Sequence, residues 1–219
     1  LRLAWLSAHM PKRGRALDVG CASGLFLDEL ARRGWKVRGI EPSRAIAQRA
    51  RARLGNECVW HAPLAEVELE PCSFELITLW DVIEHLSDPV AALRQLSAAL
   101  APGGRLILLT QDVASPCARL LGSRWHHYKH EEHLVHFERG TLELALRRAG
   151  LRLLRTTRRG VGKWINWSFV VERSARLSPR LPLVLRAWQR LAPRTIYVNP
   201  YDELLAIACK ASEESGSHA

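Results

Sequence analysis

Long apolar runs are missing from this chain. None of its 219 residues belongs to the roughly 18–20 consecutive apolar positions that a membrane-spanning helix needs, and no charged-then-apolar leader opens it. The first residue is Leu1 rather than Met, so a short upstream piece is expected to be missing. Cysteine is sparse and unpatterned. The five (Cys21, Cys58, Cys72, Cys117 and Cys209) are odd in number and lack metal-ligand spacing, which fits reduced thiols in a cytoplasmic protein. Internal repeats and low-complexity tracts are also lacking, which excludes solenoids and arrays. The formal charge is +10, yet the basic residues are nearly all arginine and are spread along the chain. Solvated helix faces account for that spread, and a nucleic-acid partner is not expected.

What is present suits one substantial core: 47% hydrophobic and 25% charged residues. Apolar runs alternate with amphipathic stretches, the pattern of a parallel sheet covered by helices. Strands are predicted at 15–19, 36–40, 57–60, 74–79, 104–110, 151–157 and 203–209, and helices at 24–33, 43–53, 88–100 and 140–149. Ser43 is read as a helix cap, and Gly103-Gly104 as the end of the fourth helix. Residues 111–139, rich in His and Trp, and 159–202 fall outside this alternation. Insertions of this kind form lids and substrate pockets.

The stretch Leu17-Asp18-Val19-Gly20-Cys21-Ala22-Ser23-Gly24 runs a strand into a turn of small residues, and Ile40-Glu41-Pro42 ends the next strand on an acid. Small residues let a nucleoside-bearing cofactor approach the backbone, and the acid accepts from ribose hydroxyls. The Gly-x-Ala-x-Gly spacing is not the Gly-x-Gly-x-x-Gly that cradles a pyrophosphate, which disfavours NAD and FAD.

Further motifs follow in order: Phe74 to His85, reading FELITLWDVIEH, then Leu100-Ala101-Pro102-Gly103-Gly104, Glu132-His133-Leu134 with Phe137, and Thr141-Leu142 before a helix ending at Gly150. Together they resemble the class I S-adenosylmethionine-dependent methyltransferases. Within these, the chain is most similar to the branch of ubiquinone-biosynthesis O-methyltransferases and other small-molecule methyltransferases. The resemblance implies an α/β, doubly wound, Rossmann-like seven-stranded sheet, mostly parallel with the last strand antiparallel, to which a helical cap insertion is added. The resemblance covers roughly 12–158 and resumes around 203–210; the methyltransferase domain is expected at 1–158 and 203–210, with the cap at 159–202 and a polar, frayed tail at 211–219. The implied cofactor is S-adenosyl-L-methionine, giving S-adenosyl-L-homocysteine. Its implied site comprises Asp18, Gly20, Cys21, Ala22 and Gly24 in the turn, Glu41 and Pro42 at the ribose, and Trp80 and Asp81 at the methionine end. Two departures stand out: Ala22 replaces a glycine, and Ala62-Pro63-Leu64 stands where an acid often meets the adenine.

Methyl transfer from a sulfonium is an in-line displacement, and a hydroxyl acceptor needs a base. His133 is the candidate, because imidazole titrates near neutral pH; a histidine that locks its loop is the alternative. His126, His127, His130 and His136 lie near it in sequence, but without ordered ligand spacing no metal is assigned to them. Trp125, Tyr128 and His130 are expected in the substrate pocket. Asp81, Glu84 and His85 would share a helical face and converge on a divalent ion, while the plainer reading has Glu84 and His85 fixing a helix start. In 159–202, Trp164, Trp167 and Val171, and then Leu181, Leu185, Trp188 and Leu191, recur at helical spacing with interspersed arginines. A cap over the pocket is preferred for this insertion; a homodimer interface or contact with the inner face of a membrane stays open.

The sequence therefore points to methyl transfer onto a small molecule, at oxygen. Transfer to nitrogen or carbon, a nucleic-acid methyltransferase and a cofactor-binding scaffold without transfer activity are the alternatives. Leu79-Trp80-Asp81-Val82 lacks the Asn/Asp-Pro-Pro-aromatic motif of nucleic-acid amino-methylating enzymes.

Overall fold

The computed structural model describes residues 11–128, 131–174, 178, 180–187 and 195–211. Its main sheet has seven strands in the order β3-β2-β1-β4-β5-β9-β6. These are β1 (Arg15–Val19), β2 (Lys36–Ile40), β3 (Val59–Trp60), β4 (Phe74–Trp80), β5 (Leu100–Gln111), β6 (Leu151–Thr157) and β9 (Glu203–Lys210). β1 to β5 are parallel, and β9 inserts antiparallel to both β5 and β6.

Side-chain alternation divides the core between the two faces of the sheet. Leu17, Leu106 and Leu108 belong to one apolar cluster with Leu93, Leu96, Leu142 and Leu146, which come from α3 (Pro89–Ala99) and α5 (Arg139–Arg148), the short α4 (Pro116–Leu121) lying between these two in sequence. Ala16, Ile107 and Leu109 belong to the other with Leu27, Leu30, Ala47 and Ala50, from α1 (Leu25–Arg32) and α2 (Arg44–Leu54). Both faces of the central strands are thus covered, so they read as continuous apolar runs. The chain builds outward from β1 to β3, then returns to the far side of β1 with β4. That reversal leaves a crevice at the carboxyl ends of β1 and β4, where open α/β sheets bind ligands.

The seven predicted strands are all found. The helix expected at 140–149 starts at Arg139 through reciprocal caps: the Glu138 side chain receives the N–H of Thr141, whose hydroxyl receives the Glu138 N–H. Two local expectations are corrected. Ser43 occupies the N-cap position of α2, but no hydroxyl bond caps the helix, and its N–H is held by Glu41. Gly103-Gly104 does not end a helix: α3 stops at Ala99, and Leu100 already pairs with Phe74 of β4, so the glycines sit inside the irregular start of β5.

The larger correction concerns 159–202. It is not a pair of helices alone. β7 (Lys163–Asn166) and β8 (Thr195–Val198) form an antiparallel ribbon, and α6 (Trp167–Ser174) and α7 (Leu181–Ala187) lie between them in sequence. Trp164 is therefore in a strand, where it pairs with Tyr197, so the helical repeat read through Trp164 and Trp167 breaks at Asn166. Asn166 turns strand into helix by accepting the Phe169 N–H at 2.8 Å on its side-chain oxygen. The insertion is tied to the sheet by Arg158, which bonds the buried Asp112 carboxylate, and by Asn199, which donates to the Arg158 carbonyl at 3.0 Å. Trp188, Leu191, Arg176, Arg190, Arg194, His130 and 212–219 lie outside the described residues.

Candidate functional site

The turn after β1 is held from below. Gly20 and Cys21 both donate N–H bonds to the Ile40 carbonyl, at 2.8 and 3.0 Å, which joins the ends of β1 and β2. Gly20, Ala22 and Gly24 all have positive φ, at 71°, 48° and 76°. Glycine takes that conformation freely, whereas Ala22 takes it against the strain of its Cβ. Space also demands the last glycine, because a Cβ on Gly24 would approach Leu54 to 2.9 Å and Ala50 to 3.4 Å.

Glu41 is buried at the end of β2, and each oxygen of its carboxylate is anchored by a backbone N–H. Ala22 donates to Oε2 at 3.0 Å and Ser43 to Oε1 at 2.9 Å. An acid so clamped leaves one lone-pair direction on each oxygen, as two adjacent hydroxyls require. Asp18 is 2% exposed and receives the Thr78 hydroxyl at 2.6 Å, a bond made possible by the direct pairing of Asp18 with Thr78 between β1 and β4. The local field is negative in a chain of positive net charge. Burial, then Asp18, then Glu41 push the Cys21 thiol from 9.0 up to about 12, so Cys21 is a small inert filler. Pro42 is exposed beside Glu41, and Trp80 packs edge-on against Phe26 with ring centres 5.2 Å apart.

Asp81, directly after β4 and in the left-handed region at φ 55°, lines a cavity of about 480 Å³. Its lining includes the polar Glu84, His85, His127, His133 and Asp202, and the insertion adds the apolar Ile165, Phe169 and Val198. Gly162 and Pro200 continue the insertion's contribution.

Backbone bonds build the polar part of this lining. Glu84 lies in a one-turn 3-10 helix after β4, and its carbonyl receives the N–H groups of Leu134 (2.8 Å) and Val135 (3.1 Å). This staple sets His133 beside His85, with ring centres 4.9 Å apart. His85 Nδ1 is 2.6 Å from the Glu132 carbonyl. The Glu84 carboxylate is 1% exposed and takes the Thr110 hydroxyl at 2.9 Å. His133 is 7% exposed, and its Nδ1 lies 2.8 Å from the His127 carbonyl. A carbonyl only accepts, so Nδ1 carries a proton in this contact. The Gln111 amide nitrogen stands 3.1 Å from the same Nδ1; half a turn of that amide presents its oxygen to the proton instead.

The residues expected from sequence are distributed as follows. Asp18, Gly20, Cys21, Ala22, Gly24 and Glu41 converge on the turn. Asp81 and His133 share the cavity. Trp125 and Tyr128 do not line it, which corrects the expectation of pocket aromatics. Trp125 is 1% exposed and donates its indole N–H to Asp202 at 2.9 Å, while Tyr128 stacks edge-on against Trp125. The shared helical face of Asp81, Glu84 and His85 is not formed either, because the left-handed Asp81 breaks the helical spacing. The residues whose donor atoms do gather there are Glu84, His85 and His133. Residues missed in the sequence are Thr78, Asp202 and Glu203. Nothing local marks them; each is brought in by strand pairing or by the return from the insertion.

Comparison with known proteins agrees with this architecture. The profile of a family described as a methyltransferase domain matches residues 2–156. The ubiquinone biosynthesis O-methyltransferase of Xanthomonas euvesicatoria pv. vesicatoria is 32% identical over 170 residues, covering 70% of this chain and 69% of that protein. The ubiquinone biosynthesis O-methyltransferase of Neisseria meningitidis serogroup C is 37% identical over 120 residues, half of each chain. Among solved structures, an S-adenosylmethionine-dependent methyltransferase from Mesorhizobium loti superposes with a TM-score of 0.62 at 20% identity, covering 94% of this chain and 95% of that one. A putative methyltransferase from Bacillus halodurans gives 0.66 at 16% identity, covering 95% and 97%. At those identities the structures speak for the fold alone.

Proposed function

This chain belongs to the methyltransferase-domain family and is an S-adenosylmethionine-dependent methyltransferase, and from that premise we propose that it methylates an oxygen of a small molecule held in the cavity between the sheet and the insertion. The observation that carries the proposal is His133. It is buried at the cavity wall, and the bond from its Nδ1 to the His127 carbonyl fixes the ring, so that the neutral imidazole carries its basic lone pair on Nε2. An amine acceptor bound as the free base needs no such group, whereas a hydroxyl does. The relatives named ubiquinone biosynthesis O-methyltransferase support the same acceptor atom.

The donor set around the turn fits the cofactor. A carboxylate clamped by two N–H groups suits a ribose diol, and the negative field of Asp18 and Glu41 suits a molecule with a sulfonium and an ammonium. Bound there, the cofactor supplies an electrophilic methyl group. Glu41 would orient its ribose, the turn from Asp18 to Gly24 with Pro42 would let it approach the protein backbone, and Trp80 and Asp81 would border the methionine end. The chain's own part is alignment and proton removal: the apolar lining of Ile165, Phe169 and Val198 excludes water, and His133 Nε2 takes the acceptor's proton as the oxygen attacks. Glu84, with one carboxylate oxygen held by Thr110, favours the resulting imidazolium. Exposed Leu183 and Val184 on α7, near Arg180 and Arg186, support contact with an anionic membrane surface, which co-sedimentation with acidic vesicles would check.

The test is kinetic. With an acceptor found by a mass-spectrometric screen for the gain of one methyl group, His133→Ala should lower kcat by about 10²–10⁴-fold and leave cofactor affinity unchanged. Loss of turnover should be partly offset at high pH, where the hydroxyl ionises unaided. Unchanged turnover in that variant refutes the base; methylation found only at nitrogen or carbon refutes the choice of oxygen.

A further inference from the structure

The cavity wall carries a second cluster that the methyl-transfer chemistry above does not use. We propose that His126, His127 and Asp202 form a binding site for a divalent transition-metal ion of the zinc class, with an open coordination position facing the cavity. One donor atom from each of the three lies within 4.8 Å of the others. Asp202 Oδ2 is 3.7 Å from His127 Nε2 and 4.0 Å from His126 Nδ1. A tetrahedral ion with bonds of about 2.0–2.2 Å places its ligands roughly 3.3–3.6 Å apart, so the two distances to Asp202 must close by about 0.1–0.7 Å. Two imidazoles and one carboxylate select zinc, cobalt, nickel or copper over magnesium and calcium, which prefer oxygen throughout.

The support around the cluster is already built. Asp202 is 2% exposed, and its Oδ2 is oriented by the indole N–H of the fully buried Trp125. Its backbone carbonyl receives the Asp112 N–H at 2.8 Å, which fixes it beside the end of β5. The two imidazoles follow Trp125 directly, in a turn closed by the Tyr128 N–H on the Trp125 carbonyl at 3.1 Å. Their ring centres are 3.9 Å apart, tilted by 40°. Among the described residues, the basic side chains within ion-pairing distance of Asp202 are these two histidines. A cation there would neutralise a buried carboxylate that has Glu203, also buried, as its neighbour.

The cluster shares no residue with Glu84, His85 and His133, although all six line one cavity. Because its open side faces the space assigned to the acceptor, the metal would take an anionic oxygen of that molecule and lower the pKa of a hydroxyl. That last step rests on the methyl-transfer reading; the binding of the metal does not.

The experiment uses the untagged full chain, stripped with a chelator. Zinc is titrated by calorimetry and cobalt(II) by its visible absorption, and S-adenosylhomocysteine is titrated into the stripped protein separately. One equivalent of metal should bind, with intense tetrahedral cobalt bands. His127→Ala and Asp202→Asn should weaken binding at least 30-fold, whereas Glu84→Gln combined with His85→Ala should leave it within threefold. Asp202→Asn retains an oxygen for the Trp125 indole, and an unchanged thermal midpoint confirms that it folds; His126→Ala gives an independent check that spares that bond. No saturable binding overturns the proposal, as does binding that survives His127→Ala or is lost only with Glu84 and His85. Imidazoles that titrate against Asp202 without taking up metal would show an ion pair only, which also overturns it. Binding of S-adenosylhomocysteine to the stripped protein tests the cofactor reading apart from the metal.

Discussion

Replacing Glu41 by Ala tests whether the clamped carboxylate is the ribose site, and its size can be worked from the geometry. In the free protein the carboxylate accepts the Ala22 and Ser43 N–H groups at 3.0 and 2.9 Å. Ala22 is exposed and Ser43 half-buried, so water replaces much of what those donors lose. The expected loss of folding stability is therefore modest, about 1–2 kcal/mol for two charged hydrogen bonds largely compensated by solvent. Cofactor binding should suffer more. Two bonds from ribose hydroxyls to a carboxylate, each worth about 1.5–3 kcal/mol, disappear together with the preorganisation of the turn. A net loss of about 3 kcal/mol raises the dissociation constant on the order of 100-fold. Calorimetry with S-adenosylhomocysteine measures it, and a 2′-deoxyribose analogue sharpens it. If Glu41 acts on the diol, the substitution and the deoxy change should be strongly non-additive. Glu41→Gln should also weaken binding, because its amide opposes one backbone N–H with another donor. A dissociation constant for Glu41→Ala within threefold of wild type, in a protein that still unfolds cooperatively, would refute the reasoning.

Other outcomes follow from neighbouring contacts. Thr78→Val removes the hydroxyl that meets Asp18 at 2.6 Å between two buried residues; urea unfolding should show a loss of about 2 kcal/mol, and no change would mean that Asp18 does not need this donor. At Ala22, φ is 48°: glycine should be neutral to slightly stabilising, by less than about 1 kcal/mol, whereas valine should cost about 1–3 kcal/mol in thermal unfolding. Cys21, whose thiol is pushed up to about 12, should resist iodoacetamide at pH 8 while the exposed Cys72 reacts, as peptide mass spectrometry would show. A folded-state pKa above the unfolded 9.0 stabilises the fold fully below pH 9, and this contribution should fade between about pH 9 and about pH 12. In Cys21→Ala that part of the alkaline loss should vanish.

The parts of the site that lie on one continuous stretch were legible in the sequence. Gly20, Ala22 and Gly24 read as a turn of small residues, and all three take positive φ; Glu41 reads as the acid that ends the second strand, and it lies buried there. Trp125 misled because an aromatic in a histidine-rich loop looks like pocket lining, while its indole bond to Asp202 comes from 77 residues away. Trp164 misled because a Trp at i and i+3 satisfies a helical period, while pairing with Tyr197 decided for a strand. Asp81 belonged to an apparent helical face only as long as its backbone was assumed right-handed.

Local chemistry along the chain, then, determined the alternation of strands and helices, the turn from Asp18 to Gly24, the acid at position 41 and with them the donor of the methyl group. Each of these depends on backbone conformation or on side chains near in sequence. The tertiary structure alone decided which groups line the cavity. β9 enters between β5 and β6, and the chain leading to it brings Asp202 to His126 and His127, while the Glu84 carbonyl draws His133 beside His85. Those contacts are made by strand insertion and loop closure over long separations, and no spacing in the sequence records them.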